Sequence, residues 1–349
     1  MRIEQLRQRL QALGALPCHE QRVLQSWAQI RSLDTRHRRA ENFLPLALRN
    51  GLPEIMDELA ALARIRSEHP GEDGSARLLI GLGDGQTVES VLLPRDGLCV
   101  STQVGCAVGC VFCMTGRDGL LRQLGSAEIV AQVVLARALR PVKKVVFMGM
   151  GEPAHNLENV IEAIELLGLE GGIGHKSLVF STVGDYRAFE QLPRAKVVPA
   201  LALSLHTTRA DLREKLLPNA PRITPEELVE LGERYARTTG YPIQYQWTLI
   251  DGINDTEEEL DGIVRLLSGK YAIMNLIPYN TVEELEFKRP DVEKARAIAR
   301  SLHSRRILTK LRNSAGQDID GGCGQLRARE SVKRTRTRPI VFSAARHNP

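Results

Sequence analysis

Candidate strands and helices alternate along most of this chain, and this alternation limits the folds that it can adopt. The candidate strands are 98–103, 144–148, 177–182, 197–205, 243–249, 272–278 and 307–311, and the candidate helices are 127–139, 157–167, 225–239, 257–267 and 290–305. Strands that alternate with helices pair in parallel, because each helix carries the chain back to the start of the next strand. The pattern predicts an α/β fold with helices packed on a parallel sheet.

The first 90 residues have a different pattern. Apolar residues recur at helical spacing near the N-terminus, in 20–30 and in 54–66, which predicts helices. Residues 77–82 and 87–93 read as two short strands joined by Gly83-Asp84-Gly85-Gln86, which indicates a hairpin. We therefore predict a helical N-terminal domain with a connecting β-hairpin over 1–90, a core over 91–326 and a tail over 327–349.

Composition narrows the class of protein. Of the 349 residues, 43% are hydrophobic, which is enough for a substantial core. No apolar run approaches the roughly 18 residues of a membrane span, and the polar N-terminus lacks the apolar region of a signal peptide. We expect a cytoplasmic monomer with no membrane segment.

Three cysteines lie in one short loop with the spacing C-x3-C-x2-C: Cys106, Cys110 and Cys113. A structural zinc site normally has four ligands, and Cys99 or Cys323 could supply the fourth. An iron–sulfur cluster held by only three cysteines instead keeps one iron open for another molecule. The paired C-x2-C motifs of common zinc sites are missing here, so the spacing favours an open cluster and hence an enzyme.

Polar or glycine-rich residues follow several of the candidate strands. They are residues 149–153, Ser181, Ser204 with Leu205 and His206, and Asn280. The carboxyl ends of parallel strands meet at one edge of the sheet, where α/β folds bind ligands. Each residue alone is as readily a structural polar group. Together with the cysteine loop, which follows the first strand, they predict one shared site.

Two further features of the sequence suggest reactivity and a partner. Cys323 is flanked by glycines, which leave its thiol accessible, so a nucleophilic role is favoured over a buried structural one. From 327 to 346, seven basic residues stand against one acidic residue, Glu330. Such a tail suits the phosphates of a nucleic acid, although a solvated terminus has the same composition.

The cysteine pattern, with Phe112 before the last cysteine, resembles that of the radical S-adenosylmethionine (SAM) superfamily. The resemblance implies a partial (β/α)6 barrel, a [4Fe-4S] cluster on the three cysteines, and SAM bound to the open iron. It also implies that an electron from the cluster cleaves SAM and produces a radical, which then removes a hydrogen atom. By the same resemblance, SAM contacts come from Gly151, Glu152, Pro153, Ser181, Ser204, Leu205, His206 and Asn280.

Segments 98–106, 149–153, 204–206, 277–280 and 318–326 occur in the order seen in the RlmN/Cfr family of RNA methyltransferases. This resemblance implies that Cys323 accepts a methyl group from one SAM and that a second SAM activates this methyl for addition to an adenine carbon. Cys99 then attacks the sulfur of Cys323, which releases the product and leaves a transient disulfide. Glu89, in a segment like that of the family's proton acceptor, is the candidate base, or else an ordinary exposed acid on the hairpin.

The resemblance also implies a substrate adenosine in 23S rRNA, transfer RNA or both, with carbon 2 favoured over carbon 8, and an electron donor such as a flavodoxin or a ferredoxin. Two other functions stay open at this point. One is a radical SAM enzyme with a different RNA modification, and the other is a non-catalytic iron–sulfur protein that binds RNA.

Overall fold

The computed structural model describes residues 1–34, 39–282 and 285–328. Its strands are β1 Ala63–Pro70, β2 Ala76–Leu82, β3 Thr87–Leu93, β4 Gly97–Cys99, β5 Gln103–Gly105, β6 Leu120–Gln123, β7 Lys144–Phe147, β8 Leu178–Thr182, β9 Ala200–Ser204, β10 Ile243–Leu249, β11 Ala272–Pro278 and β12 Thr309–Leu311. Its α-helices are α1 Ile3–Ala12, α2 Pro17–Gln29, α3 Leu46–Ala61, α4 Ser126–Leu139, α5 Leu157–Leu169, α6 Tyr186–Gln191, α7 Ala210–Leu216, α8 Pro225–Thr239, α9 Glu257–Leu267 and α10 Val292–Ser304.

Ten of these strands form one sheet in the order β1-β2-β3-β4-β7-β8-β9-β10-β11-β12. From β4 to β12 every neighbouring pair is parallel, and helices lie between successive strands. The predicted α/β class and partial (β/α)6 barrel are therefore confirmed, and β12 adds a short seventh parallel strand. The predicted bounds of β10, β11, α8 and α9 are the observed ones.

The two faces of the parallel sheet differ in composition. Residues such as Phe147, Phe180, Leu203 and Trp247 lie on the outer face and join the main core, which also contains the helices. The inner face begins at Cys99 and carries small side chains on its central strands, among them Ala202. Because alternate residues of a strand point to opposite faces, this register decides which side chains share the inner space.

The N-terminal region departs from the prediction at one point. The helix expected over 54–66 ends at Ala61, and β1 follows it and pairs antiparallel with β2. The pairing runs from Ala63 with Leu82 to Pro70 with Ala76, with an irregularity between Ile65 and Ser67, so the end of the predicted helix is part of a strand. The predicted hairpin of β2 and β3 is confirmed, but it is part of a three-stranded antiparallel unit.

This antiparallel unit continues directly into the barrel, because β3 pairs with β4. One hydrophobic core contains apolar residues of α1, α2 and α3 together with those of the barrel helices. The domain boundary near residue 90 stays a prediction. Of the predicted tail, only Arg327 and Ala328 are described, and the rest lies outside the described residues.

Two helices, α6 and α7, are absent from the sequence-based prediction. Each is short, with 6 and 7 residues, so neither offers enough turns for a clear apolar period. A search of the helices in the described part of the chain finds none with the length and apolarity needed to cross a lipid bilayer.

Candidate active site

The cysteine loop leaves β5 and is held against α7 and the residues that follow it. Cys106 donates its backbone amide to the Gly119 carbonyl at 2.9 Å, and Val111 donates to the Leu216 carbonyl at 3.1 Å. The three thiols of Cys106, Cys110 and Cys113 pack against an apolar cluster formed by Val108, Phe112, Val183, Leu216, Leu217, Ile250 and Tyr279. This packing shields the loop from water on one side.

The environment of the three thiols fits a bound cluster. Burial raises the pKa of the Cys106 thiol to about 12. Burial also raises the pKa of the Cys110 thiol, and the charge of the nearby Cys113 raises it further. Backbone amides oppose this effect: those of Val108 and Gly109 act on Cys106 and lower its pKa. Apolar surroundings disfavour free thiolates, whereas converging amides support thiolates that are bound to iron.

Within the described residues, no three His, Cys, Asp or Glu side chains converge closely enough to hold a single metal ion. A four-iron cluster needs less convergence, because each thiolate binds a different iron atom. Gly116 allows the loop to fold closely on itself, since a Cβ at this position would lie 2.8 Å from the Gly109 Cα. The three cysteines therefore remain our proposed cluster ligands.

The glycine-rich segment after β7 places a buried carboxylate beside the loop. Gly151 has φ +102°, and the next residue, Glu152, donates its amide to the Gln103 side chain at 2.7 Å. The Glu152 carboxylate accepts 3.0 Å hydrogen bonds from the amides of Ala154 and Val183. Burial raises the pKa of Glu152 to about 7, against the effect of these hydrogen bonds.

Pro153, the last residue assigned to this motif, is buried and begins a short 3-10 turn. The segment is thus a buried, hydrogen-bonded turn at the carboxyl end of β7. Ser181 and Ser204, at the ends of β8 and β9, are both half-buried on the inner face of the sheet. The structure brings these residues to the same edge as the cysteine loop, as the sequence predicted.

His206 is buried with its ring edge against Phe112, the two centroids being 5.0 Å apart. Its Nδ1 accepts a 3.0 Å hydrogen bond from the Thr248 amide, which requires a neutral ring with the proton on Nε2. Burial lowers the pKa of His206 to about 3, and the charge of Arg213 contributes. Leu205 is fully buried beside it.

The buried His206 should make stability depend on pH. Its pKa is about 3 in the folded protein and about 6.5 in the unfolded chain, so the unfolded state binds the proton first as pH falls. We therefore expect the free energy of unfolding to fall by about 2 kcal/mol from pH 8 to pH 5 because of His206. Urea unfolding of the wild type and His206→Asn at both pH values measures it. Equal losses in the two proteins would contradict the assignment.

Arg213 links the strand-end residues, and the sequence analysis missed it. Its guanidinium, buried on α7, donates to the carbonyls of Ser204 at 2.9 Å and Leu205 at 2.8 Å, and also to that of Val183. Burial lowers the pKa of Arg213 to about 10, while the Cys110 and Glu152 charges raise it. A single arginine in a short amphipathic helix gave no signal of this role.

The Cys323 loop is fastened to the cysteine loop. Met114 donates its amide to the Gly324 carbonyl at 2.8 Å, and the Thr115 hydroxyl donates to the Leu326 carbonyl at 2.7 Å. Asn280 donates through its side-chain amide to the Cys323 carbonyl at 2.9 Å. Asn280 therefore positions this loop, and its predicted contact with SAM stays a prediction.

Cys99 and Cys323 are close enough for their charges to interact, although 224 positions separate them in the sequence. Burial raises the pKa of the Cys99 thiol, and the charge of Cys323 raises it further. Burial also raises the pKa of Cys323, against a hydrogen bond with Ser314 and the charge of Arg312. Cys323 is nevertheless exposed to solvent, so it lies in an opening surrounded by protein. Both thiols are free, and Cys18, on α2, is free and exposed.

Glu89 is not the exposed acid that one sequence interpretation allowed, because its side chain is 0% exposed. One carboxylate oxygen pairs with Arg77, and the other accepts hydrogen bonds from the amides of Arg327 at 2.8 Å and Ala328 at 3.0 Å. Arg77 also donates to the Ile319 carbonyl at 2.6 Å. The pair thus fastens both ends of the Cys323 loop to the antiparallel unit. Its proton-acceptor role stays a prediction.

We expect Arg77→Met to lower the free energy of unfolding by about 3 kcal/mol, because it leaves the Glu89 charge buried without its partner. Denaturant unfolding measures the loss, and the exposed Arg64 on β1 provides a matched control, Arg64→Met. The double variant Arg77→Met/Glu89→Leu should regain part of the loss. A loss no larger than that of the control would show that the pair does not stabilise this junction.

Comparisons with known proteins agree with this geometry. The model of the radical SAM superfamily matches residues 100–267. A protein of Azoarcus sp. named "Probable RNA methyltransferase" is 76% identical, over 94% of this chain and 95% of its own length. A protein of the same name from Thiobacillus denitrificans is 73% identical, over 94% of this chain and 91% of its own.

Among solved structures, a radical SAM methyltransferase from Sphaerobacter thermophilus is similar, with a TM-score of 0.80 and 36% identity. The match covers 94% of this chain and 98% of that protein. The chain belongs to the radical SAM superfamily and, within it, to the RlmN/Cfr family of methyltransferases that its motifs resemble. This family is one of enzymes that use SAM and a [4Fe-4S] cluster.

Proposed function

We propose that this protein methylates a ring carbon of an adenosine in RNA through a methyl group carried on Cys323. The observation that carries the proposal is that Cys323 lies within electrostatic reach of both Cys99 and Cys113, on a loop that is hydrogen-bonded to the cysteine loop. The relatives named as probable RNA methyltransferases support RNA as the substrate. We propose 23S rRNA, transfer RNA or both as the RNA, and carbon 2 in preference to carbon 8.

In this proposal Cys106, Cys110 and Cys113 would hold the cluster, and SAM bound there would supply a hydrogen-abstracting radical. The buried Glu152 and the backbone of Gly151 would receive the SAM amino group, with Pro153 fixing the turn. Ser181 and the segment from Ser204 to His206 contact the remaining polar groups of SAM, and Asn280 contributes from the next strand end. The apolar packing around Phe112 and Val108 excludes water from the reactive centre.

Cys323 and Cys99 act in successive steps of the proposed transfer. The Cys323 thiolate displaces the methyl group from one SAM, which forms a thioether and releases S-adenosylhomocysteine. After the activated carbon has joined the adenine ring, the adduct would lose its unpaired electron to the cluster and its ring proton to a base, and the Cys99 thiolate would then attack the Cys323 sulfur. The bond between that sulfur and the transferred carbon would break as the disulfide forms, and the carbon, which keeps the electron pair, would take up a proton to become the methyl group. A two-electron reductant would regenerate both thiols. Glu89 is the proposed proton acceptor, with Arg77 as its charge partner.

Tethering the methyl group to a protein thiol has a physical reason. The target carbon of the adenine ring is electron-poor and does not attack SAM directly, so a radical must be delivered to it. Holding that carbon donor on a fixed loop turns the step into a reaction between positioned groups. We further propose a cytoplasmic monomer that receives its electron from a flavodoxin or a ferredoxin.

Mass spectrometry of nucleosides from ribosomal and transfer RNA tests the proposal. A strain that lacks this protein should lose one methyladenosine, and the purified enzyme with SAM and reductant should restore it. Separating 2-methyladenosine from 8-methyladenosine identifies the carbon. A different lost modification would indicate another radical SAM reaction, and failure to cleave SAM despite a reduced cluster would favour a non-catalytic iron–sulfur protein.

A further inference from the structure

A row of polar side chains crosses the inner face of the barrel. In the sheet register Ser204 pairs with Gln246, Gln246 with Asn275, and Asn275 with Lys310. Register partners in neighbouring strands point to the same face, so all four project into the space enclosed by the barrel. The row begins at a proposed SAM contact and ends on β12.

Asn275 is the unusual member of this row. Its side chain is 0% exposed, and neither its amide nitrogen nor its amide oxygen has a hydrogen-bond partner among the described residues. Leaving a buried donor and a buried acceptor unmatched is unfavourable, and such groups are rare in folded proteins. An amide whose donor nitrogen and acceptor oxygen are both unpaired can bind a ligand that offers one hydrogen-bond donor and one acceptor side by side.

Basic side chains lie on the strand that pairs with this amide's strand. Lys310 is the register partner of Asn275, and Arg312 is the next inner-face residue after Lys310. Burial lowers the pKa of Lys144 on β7, and the charges of Arg312 and Lys310 lower it further, so these two cations lie within electrostatic reach of Lys144. None of them has an acidic partner within the described ranges. Lys310 and Arg312 are also exposed, as an anion-binding group must be.

The opposite wall of the same space is small and apolar. Val146, Val179, Ala200 and Ala202 pack together on the inner face of β7, β8 and β9, beside Cys99. Arg312 lies near enough to Cys323 to lower its pKa, so the space also borders the proposed methyl carrier. An apolar wall, a polar edge with one donor and one acceptor, and nearby cations complement a planar base that carries a phosphate.

We propose that the inner face of β10, β11 and β12 is a nucleotide subsite for the RNA, where Asn275 binds the edge of an adenine and Lys310 and Arg312 bind its phosphate. An asparagine amide matches the N6 donor and N7 acceptor of adenine. Entry of the base requires a neighbouring side chain to move, and the exposed Lys310 lies next to Asn275. The inference rests on the proposed function and makes Asn275 a residue that selects adenine.

Binding of adenosine 5′-monophosphate (AMP) tests this subsite without any methylation. The probe is titrated calorimetrically into holoenzyme whose SAM site is filled with S-adenosylhomocysteine, and guanosine 5′-monophosphate (GMP) is the comparison. We expect the wild type to bind AMP at least about fivefold more tightly than GMP, as one bidentate contact provides. Asn275→Leu, of similar volume, should remove this preference, and Ile273→Leu on the same face should keep it.

Lys310→Gln should weaken the binding of both nucleotides alike, whereas Lys196→Gln, at an exposed site before β9, should leave it unchanged. Equal affinity for AMP and GMP in the wild type would overturn the proposal, as would an unchanged preference in Asn275→Leu. Displacement of S-adenosylhomocysteine by AMP would overturn it too, because the amide would then serve SAM.

The same variants separate this proposal from the proposed function. If wild-type enzyme methylates no RNA but shows the AMP preference that Asn275→Leu removes, the subsite stands and the proposed reaction fails. If RNA is methylated and Asn275→Leu leaves kcat/KM for RNA unchanged, the subsite fails alone. Where both hold, Asn275→Leu should reduce kcat/KM for RNA about 5- to 150-fold, while methyl loading of Cys323 stays within about twofold of the wild type.

Discussion

Cys323→Ala is expected to abolish methyl transfer to RNA, with a loss of at least about a thousandfold. The proposed route passes through a bond between the Cys323 sulfur and the transferred carbon, and Cys323 is the thiol whose charge acts on Cys99. The measurement is mass spectrometry of methylated nucleosides after incubation with SAM and a reductant. Intact-protein mass spectrometry should show that the single methyl group of the wild type is missing.

A loss of activity has this meaning only when the rest of the enzyme is intact. The variant should keep the visible spectrum of its cluster and should still cleave SAM, because Cys106, Cys110 and Cys113 are unchanged. Cys18→Ala is the matched control, since Cys18 is an exposed free thiol on α2. Methyl transfer to RNA by Cys323→Ala would show that the methyl-cysteine route is wrong.

Cys99→Ser is expected to stop the reaction after the carbon has been joined to RNA. A serine hydroxyl does not displace a carbon group from sulfur, so the RNA should stay covalently attached to Cys323. Gel electrophoresis under denaturing conditions should show a protein–RNA adduct that ribonuclease shortens. Multiple-turnover activity should fall about a hundredfold or more, while methyl loading of Cys323 continues.

Two comparisons make the second result specific. The double variant Cys99→Ser/Cys323→Ala should form no adduct, because the carbon would have no sulfur to join. Alkylation and peptide mapping of the wild type after one turnover without reductant should identify a disulfide between Cys99 and Cys323. Free product in normal yield from Cys99→Ser would show that another group releases the RNA.

Much of the fold follows from local pattern. The bounds of β10, β11, α8 and α9 agree with the prediction because each combines a clear apolar period with a distinct start and end. Thr224 and Thr256 cap the last two, each accepting a hydrogen bond from the amide three residues ahead. By contrast, the helix predicted over 54–66 extends into the first half of β1, because Ile55, Leu59, Leu62 and Ile65 fit a helical period, whereas the observed helix ends at Ala61.

The residues of the candidate site, too, were only partly predictable from the sequence. Cysteine spacing and polar strand ends were visible in the sequence, because parallel strands always bring their carboxyl ends to one edge. The roles of Arg77 and Arg213 were not visible, because Arg77 acts on the Ile319 carbonyl, 242 positions away, and Arg213 acts on the Val183 carbonyl, 30 positions away. The charged Arg77 within an otherwise apolar strand was the one available signal.

By itself, the sequence determined the class of fold, the three proposed cluster ligands and the edge at which they would meet. Those features depend on short-range spacing, on periodicity and on the geometry that every parallel sheet shares. Only the tertiary structure decided that Cys323 lies within electrostatic reach of Cys99, that Glu89 is buried against Arg77, and that the Asn275 amide is left without a partner among the described residues. These three depend on loop closure, on burial and on sheet register, which no local sequence pattern specifies.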